Sequence, residues 1–317
     1  MRPTSTTDTC MAGEALGTSK APVRIVLCAD DFALHPAIDD AVVRLARQGR
    51  LSATSCMTTS PRWAEAARTL AAAPSTLATG LHINLTEGHG GAAPSLGTVL
   101  IDAYARRLDG ARLVRQITQQ FDAFEQAMQR APDFIDGHQH VHQLPVVRDA
   151  LLAVLGERYA DLVRAPTIRT TVPAHWSWNA GKAGVLALLG GLRFRGRLHD
   201  RGLRHNRGFA GVYGFDAATP ADYGRHMDRW LAGCRDGTLM MCHPATAPVT
   251  GDAISAARMV EFGYLASDAF GDALQRHGVK LVKKAGQKNS LTPRYDLPKI
   301  GRSNRCGNGN GCLLARH

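Results

Sequence analysis

No apolar run in the 317-residue chain approaches the roughly 20 residues that a membrane-spanning helix requires. That excludes a helical span. The opening MRPTSTTDTCMAGEALGTSK is polar and lacks the apolar stretch of a secretory signal, so residues 1–21 read as a disordered leader on a cytoplasmic protein. Paired thiols are also missing. The seven cysteines, at 10, 28, 56, 234, 242, 306 and 312, contain no C-x-x-C pair, which fits a reducing compartment and argues against a closed thiolate zinc site. Cys28, Cys56 and Cys242 lie in apolar runs, where a thiol packs as a small hydrophobe. No internal repeat is visible.

The net charge of +11 suggests nucleic-acid binding until it is located. Residues 280–317 hold nine Lys or Arg against one Asp, residues 181–208 hold seven against one, and the rest of the chain sums to −3. The basicity belongs to a tail and one segment rather than to a core. The tail has loop composition without periodicity, and residues 286–317 are expected to be flexible. What is present in between, 44% hydrophobic and 21% charged residues overall, belongs to a globular protein.

Short β-rich runs alternate with amphipathic ones. The strand candidates are 23–29, 52–57, 78–85, 133–138, 161–166, 238–243 and 279–284. Between them, Leu113, Ile117, Phe121, Phe124 and Met128 recur at helical spacing over 111–130, and Ile38, Val42, Leu45 and Ala46 do so before Gly49 ends their helix. This alternation implies an α/β fold with a parallel sheet, and about seven units suggest a deformed, TIM-like (β/α) barrel in a single catalytic domain over 22–285. Residues 167–219, rich in Gly and Arg, read as an irregular excursion from the sheet.

The polar residues of interest fall at expected strand ends. Asp30 and Asp31 close the first strand in IVLCADDFALH, His82 lies late in the third, His138 ends the fourth, and His243 ends a late one in MMCHPA. Strand C-terminal ends are where α/β barrels and open sheets build their sites. A helix N-cap is the plain alternative for one Asp, though less so for two in succession. A carboxylate with two neutral imidazoles makes a three-ligand metal site with open positions, compatible with Zn, Mg, Mn, Co or Fe. In an extended strand His138, His140 and His142 would share one face, which leaves open which of them binds. If Asp31 binds the metal, Asp30 is free beside it to take a proton from bound water, and His243 has a suitable pKa to protonate a leaving amine.

The pieces ADDFALHPAIDDAV, GRLSATSCM, GLHINLTEG, DFIDGHQHVHQLP and MCHPA resemble, in order, the YdjC-like family of carbohydrate deacetylases, which includes chitooligosaccharide deacetylase. The resemblance implies a deformed (β/α) barrel, removal of the acetyl group from an N-acetylated amino sugar, and one divalent metal ion, magnesium first with Zn, Mn or Co as alternatives. It matches Asp31, His82 and His138 to the metal positions and Asp30 to the catalytic base, with the shorter MCHP match carrying His243 as the acid. One departure is Ala33, where the family usually has Gly, so the backbone after Asp31 manages without that freedom.

Lesser features complete the reading. Asn84, with Thr86, Glu87 and His89, follows the His82 strand in a Gly-rich loop suited to sugar contact. His140 and Arg164 are further candidates for substrate contact, Arg164 because it ends its expected strand and could hold an oxyanion or a hydroxyl. Trp176 and Trp178 could stack on a sugar, whereas Trp63 and Trp230 read as packing. The expected partner is the N-acetylated sugar, with no nucleic acid and no membrane span, and a homodimer is left open. The alternatives are an Fe(II) oxygenase with the same 2-His-1-carboxylate set, or a basic nucleic-acid or membrane-surface binder through LRFRGRLHDRGLRHNRG.

Overall fold

The computed structural model describes residues 21–159, 161, 164–174 and 181–284. Residues 1–20 of the proposed leader, the basic tail and Trp176 and Trp178 lie outside the described residues. The first half of the chain runs β1 (Val23–Phe32), α1 (Pro36–Arg47), β2 (Ala53–Cys56), α2 (Trp63–Ala71), β3 (Ala78–Ile83), α3 (Leu96–Tyr104), α4 (Gly110–Met128), β4 (Phe134–Gly137) and α5 (Val147–Arg158). The second half runs β5 (Thr167–Ile168), α6 (Gly181–Leu186), α7 (Leu192–Asp200), β6 (Gly208–Ala210), α8 (Pro220–Gly233), β7 (Thr238–Cys242), α9 (Ser255–Leu265), α10 (Asp268–Arg276) and β8 (Val279–Leu281).

The strands form one parallel sheet in the order β5-β4-β3-β2-β1-β7-β6, with β8 beside the start of β1. Isolated parallel bridges Ile168↔His205 and Pro173↔Phe209 join the two edges, and the Ile168 N–H donates to the Arg204 carbonyl at 2.8 Å. Seven strands are thereby curled into a deformed barrel, as the alternating pattern implied. Every residue of β2, β3, β4 and β7 is buried, as helices packed on a parallel sheet require.

Local chemistry explains the helices that carry the sheet. Asp109 caps α4 by accepting the Arg112 N–H at 3.0 Å, and Leu113, Ile117, Phe121 and Phe124 form its buried stripe. Helix α1 begins at Pro36 and ends before Gly49, whose φ of +66° suits a residue without Cβ. Its N-cap is His35, whose Nδ1 accepts the Ala37 N–H at 3.2 Å, so neither Asp30 nor Asp31 serves as the cap.

Two expectations are corrected. The strand expected at 161–166 is instead Thr167–Ile168, and the supposed excursion of 167–219 returns to the sheet twice, as β5 and β6. At two and three residues these strands are too short to leave a period in the sequence.

Candidate active site

Adjacent residues on a strand face opposite sides of the sheet, so two successive aspartates should not share a pocket. Strand β1 breaks that rule with a bulge. Ala29 pairs with Thr54 and Phe32 with Cys56, which leaves one extra residue on β1, and Asp31 takes a φ of +68°. Aspartate tolerates this left-handed conformation better than most residues. Ala33 follows at φ +76° without that excuse, held by its N–H to Asp39 Oδ1 at 2.7 Å and by Ser60 Oγ donating to its carbonyl at 2.7 Å. Both carboxylates are consequently buried at the C-terminal end of the sheet.

Asp31, His82 and His138 converge there, each offering a ligand atom within 4.8 Å of the others. Asp31 Oδ1 lies 3.3 Å from His82 Nε2 and 2.9 Å from His138 Nδ1. The other nitrogen of His82, Nδ1, meets Asp136 Oδ1 at 2.6 Å and Ser55 Oγ at 2.7 Å, and Ser55 Oγ also donates to Asp136. That support fixes the ring and directs Nε2 toward Asp31, the arrangement commonly seen behind metal-binding histidines. Burial alone would lower the His82 imidazole, but the carboxylates of Asp136, Asp31 and Asp30 together outweigh it and raise the group to about 10. Burial would likewise raise Asp31, yet the charges of Arg258 and His138 hold it well below the usual carboxylate range. The donor set of two imidazoles and one carboxylate fits a divalent cation with coordination positions left for other ligands.

Asp30 faces a different partner. Arg169 forks onto it, Nη1 to Oδ2 at 2.6 Å and Nη2 to Oδ1 at 2.7 Å, and Nη2 also reaches Asp136 Oδ2 at 2.5 Å. Burial works against the Asp30 charge, but Arg169, aided by His82 and His243, keeps the carboxyl below its usual range. Cys28, Asp30 and Asp136 also form a compact cluster of possible ligands, but the Arg169 guanidinium already bridges its two carboxylates and burial pushes the Cys28 thiol well up. This second cluster is an ion-pair network rather than a metal site.

His243 follows β7, its Nε2 3.9 Å from Asp30 Oδ2 and its ring edge on Phe215. Its backbone N–H donates to Glu261 Oε2 at 2.6 Å, while Tyr213 donates to Glu261 Oε1 at 2.7 Å. The three histidines of HQHVH do not share a face. Strand β4 ends at Gly137, and Gln139 and His140 take φ of +51° and +62°, so the chain turns and scatters the rings. His138 reaches Asp31, and His140 sets its edge on Phe209 with Nδ1 unpartnered. His142 packs on Phe194 and bonds the Arg169 carbonyl through Nε2 at 3.0 Å, its imidazole pushed by burial down to about 4.

Two substrate candidates are placed elsewhere or otherwise engaged. Arg164 precedes β5 instead of ending a strand, and its side chain is 86% exposed, 3.6 Å from Asp161; the strand-end arginine is Arg169. Asn84 donates to Thr59 Oγ1 and the Glu87 carbonyl and accepts from the Thr86 and Glu87 N–H groups, which exhausts its side-chain capacity in shaping the loop. Trp63 and Trp230 are packing residues, stacked on Phe124 and set among Tyr213 and Tyr223.

Sequence reasoning passed over Ser55, Asp136, Arg169, Arg258 and Glu261. Asp136 was within reach, since it directly precedes the Gly-His of DGH in an otherwise apolar strand. Arg258 and Glu261 occupy the buried stripe of α9 with Ala257, Tyr264 and Leu265, so charges at core-facing positions were the available signal. Arg169 follows a two-residue strand and left none.

Comparison with known proteins identifies the family of the chain. A family model described as YdjC-like protein matches residues 24–276. A human carbohydrate deacetylase is 30% identical over 173 residues, 50% of this chain and 53% of the relative. A chitooligosaccharide deacetylase of Yersinia pestis (strain Pestoides F) is 32% identical over 147 residues, 44% of this chain and 58% of the relative. The chain therefore spans little more than half the length of these curated relatives. In fold it is similar to a crystal structure from Enterococcus faecalis V583, provisionally described as a cellobiose-phosphate cleavage protein, with TM-score 0.61 and 19% identity over 83% of this chain and 97% of that one. The matched region runs from β1 through α10 and includes all of the clustered side chains, and the chain belongs to the YdjC-like protein family.

Proposed function

We propose that the chain is a metal-dependent hydrolase that removes the N-acetyl group from an N-acetylated amino sugar. One observation carries this reading: a triad of buried Asp31 and His82 with half-buried His138 stands beside a separate carboxylate and imidazole, Asp30 and His243, that approach each other to 3.9 Å. The names of the curated relatives support carbohydrate as the substrate class.

Asp31, His82 and His138 would hold the cation, which when bound supplies a polarised carbonyl and a water acidic enough to attack near neutral pH. Asp30, kept ionised by the Arg169 fork, accepts the proton of the attacking water. His243 gives a proton to the departing amine of the sugar. His140, half-buried with its Nδ1 unpartnered, is kept as the candidate to meet a sugar hydroxyl. The resemblance favours magnesium, whereas two imidazole donors suit zinc, cobalt or manganese better.

The test is acetate release from N-acetylated oligosaccharides and glycolipids by metal-stripped protein, with Mg, Mn, Co or Zn restored in turn. Release that depends on metal and disappears in Asp30→Asn, with metal still bound, is the expected result. Oxygen consumption with Fe(II) and no acetate would replace the hydrolase with an oxygenase. An Asp30→Asn protein of full activity would remove the base assignment.

A further inference from the structure

The candidate metal ligand and the proposed proton donor stand on different strands, Asp31 on β1 and His243 just past β7, yet one helix grips both. Arg258 and Glu261 lie three residues apart on the buried face of α9, 2% and 0% exposed. Arg258 Nη2 donates to Asp31 Oδ2 at 2.7 Å, and its Nε is anchored by Asp252. Glu261 accepts the His243 N–H at 2.6 Å and the Tyr213 hydroxyl at 2.7 Å. The loop beyond His243 is also tied to this helix, with the Ala245 N–H on the Arg258 carbonyl at 3.1 Å.

Two opposite charges at this spacing on one helix face would ordinarily pair with each other. Here each reaches past its neighbour to a separate part of the site. Burying them carries a large desolvation cost, which packing alone would not require, since apolar residues fill such a stripe more favourably. Arg258 occupies Asp31 Oδ2 and leaves Oδ1 turned to His82 and His138. Glu261 fixes the backbone from which the His243 ring extends, with its Nε2 toward Asp30.

Resting on the deacetylase reading, we infer that α9 is the positioning element of the site, with its labour divided: Arg258 sets the metal-binding carboxylate and Glu261 sets the proton donor. Neither residue touches the reacting atoms. Each acts through the group it holds, so the two should separate in measurements that report on metal binding and on turnover.

The experiment uses full-length protein and cobalt as the probe, titrated by calorimetry and by its visible spectrum, alongside kcat and KM for acetate release. Circular dichroism identifies which variants are folded. Arg258→Met should weaken cobalt binding at least tenfold and alter the spectrum, with partial recovery in Arg258→Lys. Glu261→Gln, nearly isosteric, should leave cobalt affinity and spectrum unchanged while kcat falls at least tenfold at nearly constant KM. Wild-type cobalt affinity in folded Arg258→Met, equal loss of affinity in both variants, or kcat within twofold of wild type in Glu261→Gln would overturn the division. Should Arg258→Met fail to fold, the Arg258→Lys affinity decides that arm. Tight cobalt binding by the wild type without acetate release would refute the deacetylase reading instead, and the Arg258 arm would still be decided by affinity.

Discussion

The two halves of the barrel contribute differently to the same rim. Strands β1, β3 and β4, with four to ten residues each, present the candidate ligands Asp31 and His82 and lead into His138. The second half, with strands of two to five residues, contributes Arg169, His243, Arg258 and Glu261. Apart from His243, the proposed proton donor, these second-half groups hold others in place: Arg169 grips Asp30, Arg258 grips Asp31 and Glu261 grips the His243 backbone.

The sharpest way to break this contrast is to remove chemistry from the first half. His138→Ala should abolish metal binding at one equivalent and lower acetate release by three orders of magnitude or more, read by calorimetry and turnover. Asp30→Asn should keep the metal and lose on the order of 10²- to 10⁴-fold in kcat. Comparable metal loss in both would merge the two roles that the bulge in β1 separates.

Removing support from the second half should register first in stability. Arg169→Met leaves Asp30 and Asp136 buried without their common partner, and urea denaturation should show a loss of about 3–5 kcal/mol. Arg164→Ala, at an exposed side chain five positions earlier, should stay within about 0.5 kcal/mol. Equal effects would mean that the fork onto Asp30 contributes no more than a surface pair.

A pH series sharpens the comparison at the joint between the halves, where His142 packs under Arg169. Its folded-state pKa is about 4 because burial disfavours the charged ring, against an ordinary value of 6.5. Below pH 6.5 the unfolded chain takes up a proton that the folded state refuses. Stability should therefore fall as pH drops from 6.5 toward 4, by on the order of 3 kcal/mol from this residue. His142→Gln should show a flatter decline over that window, and parallel slopes would assign the acid sensitivity elsewhere.

A small stabilising effect is expected back in the first half. Ala33→Gly relieves a left-handed alanine at φ +76° and should stabilise by up to about 1 kcal/mol, with cobalt affinity unchanged. A destabilised variant would show that the buried Ala33 methyl matters more than the backbone strain.

The contrast also explains how far the sequence could be read. Asp30, Asp31, His82, His138 and His243 were legible because each lies in or directly after an apolar strand long enough to be recognised, so its place at a strand end followed. Arg164 was named and Arg169 passed over because a two-residue strand leaves no period, and the expected strand began six residues too early. His138, His140 and His142 seemed equivalent under extended geometry, whereas the left-handed turn at Gln139 and His140 gives each a different environment.

By itself the amino-acid order determined the alternation of strand and helix, the parallel sheet, and the acid and imidazole groups at its rim, because periodicity and strand ends are local properties. Which neighbours those groups face was decided only when distant segments came together. Arg169 lies 139 positions from Asp30, and Arg258 lies 227 from Asp31. A buried charge is tolerated only where the fold brings it an opposite one, and that pairing is a property of three-dimensional contact that no local pattern encodes.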